Sequence, residues 1–598
     1  MGNLMTSFNA GVSGLQSAQT SLNTASHNIA NAQTKGYVRQ QTLITDSFYQ
    51  TLPGSHDDRI QIGTGTTIVK TRQTRNDFLD AQYRLQLGRQ TFYEANQKAA
   101  HEIEDMLGEL EGEEFRTCIM DLKSALSSLA ENPDNIVCKD QVVSVAQHFI
   151  ERAQVLQQEL DTYQTSLNLE VQTQVDSIND LVTQIRELNK QIQKYEATGE
   201  NANDYRDKRN QALDELSKII KIEVNENIDG TVTIYSEGAY LLDSVNQFLL
   251  TTEYESPTSH LLKPVWKTGG DFFMHEGLAY SSENNTDIGS LKGLMVARGN
   301  KLAKYTDVPN KPDEKDAQFY NEDGSFNQLA FDQASEQYRR DLEVYNDSVG
   351  ASIVMQVQSQ LDTLVHGIVK QINDTLCPNK ELKLADGTTI KVLDEDKALM
   401  GDDGNDTIGT ELFARRSTSR YEKVTVTVEN EDGTTSDIEV YKLNDENKED
   451  PYSLYTINQL VVNPVVLQDS STIPVKYTEG SGKYGGYASN ELLQIAQCFN
   501  NTLGTLNPNS LTTYNALDFY SGMCSDLAIA GGIWNGVVSN QETTVASLES
   551  ERQNVMGVST DEELSDLIKF QRCFDASSRY ITTISEMLEH IIERLGNG

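Results

Sequence analysis

Few residues in this chain have the types and spacing that chemistry needs. The best match is Gly401-Asp402-Asp403-Gly404-Asn405-Asp406-Thr407-Ile408, which has the form of one calcium-binding nonapeptide turn. Such turns hold calcium between stacked copies, so a single copy supplies half a cage. A tight acidic turn is the expected role. Gly480-Ser481-Gly482-Lys483 is too short for a phosphate loop and follows no apolar strand. Ser13, in Gly11-Val12-Ser13-Gly14, lacks the setting of a nucleophile elbow and reads as a helix-surface residue. The eight histidines are dispersed, with no HExxH. The six cysteines (Cys118, Cys138, Cys377, Cys498, Cys524, Cys573) contain no CxxC pair. They read as free, mostly buried thiols rather than a zinc or redox site. Carboxylates are so common that no acid pair stands out. No catalytic, cofactor or metal residue is assigned, and the expectation is a protein that is not an enzyme.

What the chain does carry is two sticky ends. Leu567, Phe574, Ile581, Leu588 and Leu595 recur every seven residues, and Phe570, Ser577, Ile584 and Ile591 follow three residues behind the first four. That is an a/d seam of about four heptads, long enough to specify a coiled coil. The first residues repeat the period. Phe8, Leu15, Leu22 and Ile29 are large, and Leu4, Gly11, Ala18, Ala25 and Ala32 fill the alternate line. Small residues on one line suit close approach of helices. Two such ends can close on each other, on neighbouring copies, or on both.

Size and charge narrow the class. At about 150 residues per domain, 598 residues give a soft prior of roughly four domains. A net charge of −40, from 89 acidic and 49 basic residues, argues against a nucleic-acid or anionic-membrane partner. It favours solubility and suits display outside a cell. Hydrophobic content of 37% is low for a compact globule and fits an elongated helical protein. No apolar run approaches the roughly 20 residues of a membrane helix, and no secretory signal peptide is visible.

Periodicity then orders the chain. Residues 4–34 read as one helix, with Gly36 as a left-handed C-cap. Extended chain follows, with Ile60 and Ile62 alternating and β-like residues on to Val69. A helix is expected from Asp77 to about Leu110, with Phe78, Leu85, Phe92 and Ala99 seven apart. Another covers about 114–131 and stops before Pro133. A third runs from about Asn135 to Ala197 without proline or glycine, which would span about 90 Å. Its seams (Leu160, Leu167, Leu181, Leu188 and Val171, Ile178, Ile185, Ile192) are expected to pack within one subunit. Tyr205–Ile220 is helical. From Ile222 the period falls to two, with a hairpin around Asp229-Gly230, and residues 222–300 read as β-rich. Residues 307–350 read as a loop or peripheral insertion. Val354–Leu376 is helical, and 380–490 reads as a β-rich outer domain with a hairpin at Asp432-Gly433. Helices return at about 490–503 and from about 511 to the end, broken at Gly557-Val558-Ser559. Ser559 or Thr560 can cap the last helix, whose start Glu562 and Glu563 favour.

The expected fold is multidomain: α-helical coiled-coil termini, a long-helix bundle, and β-rich outer domains inserted in the middle. The expected divisions are 1–75 with 540–598 (terminal, inner tube), 76–375 with 490–539 (bundle, β-rich near 222–300), and 376–489 (outer).

The run Thr24-Ala25-Ser26-His27-Asn28-Ile29-Ala30-Asn31-Ala32-Gln33-Thr34-Lys35-Gly36-Tyr37-Val38-Arg39-Gln40 resembles the signature of flagellar rod, hook and hook-associated proteins. His27 stands where that signature usually has Asn, and Lys35 where Pro is frequent. The run from Gly557, Val558 and Ser559 through Glu562, Glu563 and Leu564, then Phe570-Gln571 and Ser577-Ser578-Arg579-Tyr580, is similar to the hook-associated members. Weaker echoes lie at Arg72, Arg75 and Asp77, at Arg206–Ser217, and at Ser453–Asn458. The resemblance implies a secreted structural protein of the bacterial flagellum, a ring-forming adaptor joining hook to filament and located outside the cell. Its implied partners are itself, the hook protein, a second junction protein, an export chaperone and the flagellar export apparatus, with no cofactor. The alternatives are another axial protein of hook or rod, or an extracellular adhesin or enzyme built on the acidic middle.

Overall fold

The computed structural model describes residues 2–53, 59–108, 115–199, 201–257, 259–274, 277–321, 324–429 and 434–595. The hairpin turn expected at Asp432-Gly433 lies outside them, as do the side chains of Ile60 and Leu595.

The first helix, α1 (Gly2–Ala30), ends four residues before its expected limit. Asn31 turns its side-chain amide back to the His27 carbonyl at 3.0 Å, which competes with continuation of the helix. Gly36 follows at φ 78°, in the left-handed region open to glycine. Two antiparallel ribbons come next: β1 (Gln40–Asp46) with β4 (Thr66–Gln73), and β2 (Tyr49–Pro53) with β3 (Arg59–Gly63). The Asn76 side chain accepts from Phe78 N at 3.1 Å and caps α2 (Asp77–Leu107), which stops at left-handed Gly108. Phe92 and Ala99 are buried on this helix, but Phe78 is 68% exposed, so the expected seven-residue line does not reach its first turn.

Next come α3 (Phe115–Glu131) and the 61-residue α4 (Ile136–Glu196), capped by Asn135. Leu160, Leu167, Val171, Ile178, Ile185 and Ile192 are buried within this chain, against α3, α5 (Asn203–Ile219) and α6 (Ser290–Arg298). Between α5 and α6 lie the meander β5 (Glu223–Glu226), β6 (Val232–Ser236) and β7 (Ala239–Leu242), and the hairpin β8 (Leu250–Tyr254) with β9 (Leu262–Trp266).

The stretch expected as a loop contains α7 (Gln328–Asp347). It buries only Tyr345, so its sequence carries little apolar period to read. Then follow α8 (Ile353–Leu376) and a four-stranded sheet of order β10-β11-β15-β14, built from β10 (Asn379–Lys383), β11 (Thr389–Leu393), β14 (Tyr421–Glu429) and β15 (Thr435–Leu443). Two short pairs lie beneath: β12 (Leu399–Met400) with β17 (Lys476–Tyr477), and β13 (Phe413–Arg415) with β16 (Leu460–Val462). The short α9 (Pro464–Gln468) and α10 (Ser489–Cys498) lead to the hairpin β18 (Thr502–Thr505) with β19 (Thr513–Asn515), where helix was expected from 511.

The chain returns along α11 (Ala516–Met556) and α12 (Thr560–Leu595). The expected division at 539/540 falls inside α11, which continues unbroken along α2. The β-rich middle is not a separate globule. Phe149 of α4 stacks on Phe115 at 5.4 Å and meets Phe413 of β13 edge-on at 6.1 Å, within one continuous apolar core.

Candidate assembly site at the paired chain ends

The most extensive helix–helix contact in the molecule is between α1 and α12. They run antiparallel: Gly11 faces Ile581, Gly14 faces Ser577, and Asn28 reaches Glu563. The approach is close. A Cβ on Gly11 would lie 2.9 Å from Ile581 Cγ1, and one on Gly14 would lie 3.1 Å from Ser577 Oγ. Apart from Asn28, the buried residues of α1 are all small: Gly11, Ser17, Ala18, Ser21 and Ala25, with Ser17 turned to Thr66 of β4. The large residues Leu4, Phe8, Leu15, Leu22 and Ile29 sit at the rim of the contact, half-buried. On α12, Ile584 is buried, while Leu567, Phe570, Phe574, Ile581, Leu588 and Ile591 are half-buried. A lone chain thus closes the middle of the seam and leaves its shoulders partly open.

A polar latch fixes the register. Asn28 is 1% exposed and uses both ends of its amide. Its Nδ2 donates to Gln40 O at 2.9 Å and to Glu563 Oε2 at 3.1 Å. Its Oδ1 accepts from Tyr37 OH at 2.7 Å and from Gln40 N at 3.0 Å. Glu563, almost fully buried, also takes Arg39 Nε at 2.6 Å, and the Arg39 guanidinium reaches Glu562 at 3.6 Å and Asp566 at 3.7 Å. Arg39 N donates to Met556 O at 2.8 Å, tying the first loop to the end of α11. Burial first, then nearby Asp207, Asp204 and Glu563, push the Tyr37 phenol well above its ordinary range, so it stays a donor.

The other signature residues have local roles. Ile29 lies at the rim of the seam, and Ala30 ends α1 exposed. Asn31 turns the chain at the helix end. Gly36 lies against Gln211, which donates to Lys35 O. A Cβ on Gly557 would meet Gln553 O at 2.4 Å, so only glycine fits the α11–α12 corner. Val558 is half-buried, and Ser559 O accepts from Glu563 N at 2.9 Å in the first turn of α12.

Two groups at the base of this unit join residues that no sequence spacing relates. Arg552 is 5% exposed and donates to Asp80 at 2.9 Å and Asp214 at 3.0 Å, while Arg75 and Arg84 hold the far sides of those carboxylates. Its guanidinium lies 4.1 Å from the Tyr83 ring centroid. Burial works against its charge, but Asp214 and Asp80 outweigh that. Asp207 of α5 accepts from Gln73 Nε2 at 2.6 Å and Val38 N at 3.4 Å, and burial pushes its carboxyl up to about 7. The residues of both groups are scattered through the sequence and meet only in the fold.

The motif residues of the middle are occupied otherwise. Lys139 holds the Asp402 carboxylate at 3.0 Å, Lys476 pairs with its other oxygen, and Tyr487 OH donates to it at 3.2 Å. Asp403 accepts from Asn405 N at 3.2 Å and from the Thr407 hydroxyl, so Gly401–Ile408 folds as a self-bonded turn. Ser13 is not a free surface residue: its Oγ accepts from Thr66 N at 3.1 Å and seats β4 on α1. Among the described residues no His, Cys, Asp or Glu group could hold a metal, and no helix is long and apolar enough to cross a membrane.

Residues 100–311 match the family described as flagellar hook-associated protein FlgK helical domain. Residues 8–37 match the flagella basal body rod protein family, and 550–594 the flagellar basal body rod FlgEFG protein C-terminal family. Flagellar hook-associated protein 1 of Bacillus subtilis is 24% identical over 98% of this chain and 97% of its own length. Its counterpart of Escherichia coli is 22% identical over 98% and 99%. The flagellar hook junction protein FlgK from Burkholderia pseudomallei is similar over 79% of this chain and 100% of its own, at 12% identity and a TM-score of 0.45.

Proposed function

We infer that the chain is a member of the flagellar hook-associated protein 1 family, and propose on that premise that it closes into a ring through α1 and α12. It is a structural protein of the flagellum with a role at the hook–filament junction. The observation that carries the ring is the seam left partly open. Large apolar residues on α1 and α12 flank a buried small-residue line, and neighbouring chains would cover such shoulders along their length. The terminal unit would comprise residues 1–75 with 557–598, and the bundle and the β-rich middle would project outward. The hook protein and a second junction protein would be its axial neighbours. An export chaperone and the flagellar export apparatus would deliver it to the outside of the cell.

The test is assembly. Purified chain is mixed with purified hooks and imaged by electron microscopy. A discrete ring at the distal hook end is expected, and cells lacking the chain should shed filament subunits into the medium. Failure to bind hooks, or binding along their whole length, would overturn the reading.

A further inference from the structure

From a cavity between the β8–β9 hairpin and α6, we propose a ligand site: Lys292 receives the carboxylate of a small organic acid, whose apolar body lies against Phe273, Leu278 and Met295.

The lysine is out of keeping with its place. It lies within α6, where every residue from Leu291 to Arg298 is buried, and is itself 5% exposed. Its Nζ donates to Gly277 O at 3.2 Å and lies 5.0 Å from the Phe273 ring centroid. An ammonium has three donors, so its capacity is not filled. Among the described residues no carboxylate pairs with it; Glu255 and Glu237 act on it only from a distance. Burial pushes the ammonium below the ordinary lysine range. Methionine would fill much the same space with no charge to desolvate. The fold alone gives little reason for a lysine here.

The cavity supplies one. It holds about 350 Å³, within the size range of small-molecule sites. Its other charges are matched: Arg298 holds Glu255 at 2.9 Å, and Lys263 holds Asp271 at 2.7 Å. Lys292 leaves a single positive charge uncompensated, in a chain of net charge −40. Asn300, two residues beyond α6, lines the same cavity. Its Oδ1 is buried with no hydrogen-bond partner, and its Nδ2 can donate to a second ligand oxygen. Phe273, Leu278 and Met295 form an apolar wall. One unpaired cation, a further donor and an apolar wall together recognise a monocarboxylate with a hydrocarbon body. A doubly charged anion such as phosphate would meet Glu255 and Asp271 across a small space, which disfavours it. The side chains of Lys263 and Asp271 are partly exposed, so the cavity reaches solvent past them.

The experiment uses full-length chain and needs no hooks. Acetate, hexanoate, octanoate and phenylacetate are titrated by calorimetry, with hexanamide and inorganic phosphate as controls. The longer acids should bind one site per chain, at least tenfold more tightly than acetate, hexanamide or phosphate. Lys292→Met should melt at or above the parent and lose at least tenfold in affinity for the acid. Glu276→Gln, which removes the carboxylate next to Gly277 in the sequence, should bind as the parent does. No binding of any acid by the parent, equal binding of hexanamide, or binding that survives Lys292→Met overturns the inference. So does a Lys292→Met chain that melts well below the parent, which would make the charge structural. Binding gained only in Glu276→Gln would assign Lys292 to its own chain and overturn the inference as well.

Discussion

Replacing Asn28 by Ala should open the terminal helix pair while leaving the bundle folded. Asn28 is buried and makes four hydrogen bonds, three with neutral partners and one with the Glu563 carboxylate. Neutral bonds contribute about 1 kcal/mol each and a bond to a charged group about 2 kcal/mol. Alanine also strands Gln40 N, Gln40 O and one Glu563 oxygen, although Tyr37, being partly exposed, can turn to water. The net loss should be about 3–5 kcal/mol. It acts on release of α1 from α12 and from the 37–40 loop together, since one of the bonds crosses to Glu563 and three hold that loop, while the bundle has its own core and opens as a separate unit. At 1.4 kcal/mol per factor of ten, amide exchange in residues 8–30 and 563–590 should quicken about a hundred- to a few-thousandfold. Hydrogen exchange read by mass spectrometry resolves these segments. Asn31→Ala, which removes an amide bonded to the exposed end of α1, is the control and should change exchange by less than tenfold. Unchanged exchange in Asn28→Ala, or equal loss of protection in α2 and α11, would refute the latch.

Ile581→Asp puts a carboxylate against Gly11 in a half-buried seam; at about 2–4 kcal/mol it should abolish assembly on hooks, while Glu589→Asp assembles normally. Arg552→Met leaves Asp80 and Asp214 without their shared cation, and should lower stability by about 3 kcal/mol in urea unfolding followed by circular dichroism. Asp207, with its folded carboxyl raised to about 7, contributes stability that is full below pH 4 and lost as pH rises through 7. Asp207→Asn should therefore flatten the fall in melting temperature between pH 4 and 7, read against the parent over the same range. The six cysteines are free and all three motif aspartates are hydrogen-bonded within the protein, so neither reductant nor calcium chelator should shift the melting temperature.

The long periodic elements were legible because their burial is local and repetitive. The limits of α4 fall within a residue or so of the proline- and glycine-free run, since Asn135 caps one end and residues 197–199 break the other. The seven-residue spacing located the terminal seams, but not which of the two lines lies innermost. In the fold Gly11 and Gly14 bring the helices so close that Phe8 and Leu15 are pushed to the rim. Helix α7 was not legible because Tyr345 is its one buried residue. The β18–β19 hairpin was missed because its strands are short and pair across a turn-rich connection. The Asn28 latch was visible only as a signature, with no indication that Glu563 is its partner 535 residues away. Of the Arg552 group only Arg75 and the Arg206–Ser217 stretch holding Asp214 showed, as weak echoes, and nothing marked Arg552 or Asp80 as their partners, since the charges come from α2, α5 and α11 and no spacing relates them.

The most direct measurement of the central claim is hydrogen exchange on the same chain, free and assembled on purified hooks. If the shoulders of α1 and α12 are the surfaces that neighbouring chains cover, residues 4–29 and 567–591 gain protection on assembly by at least tenfold. The buried faces of α4 and α8, already closed within one subunit, do not change. Equal exchange of the terminal helices in both states, with an assembled ring present, would contradict the account.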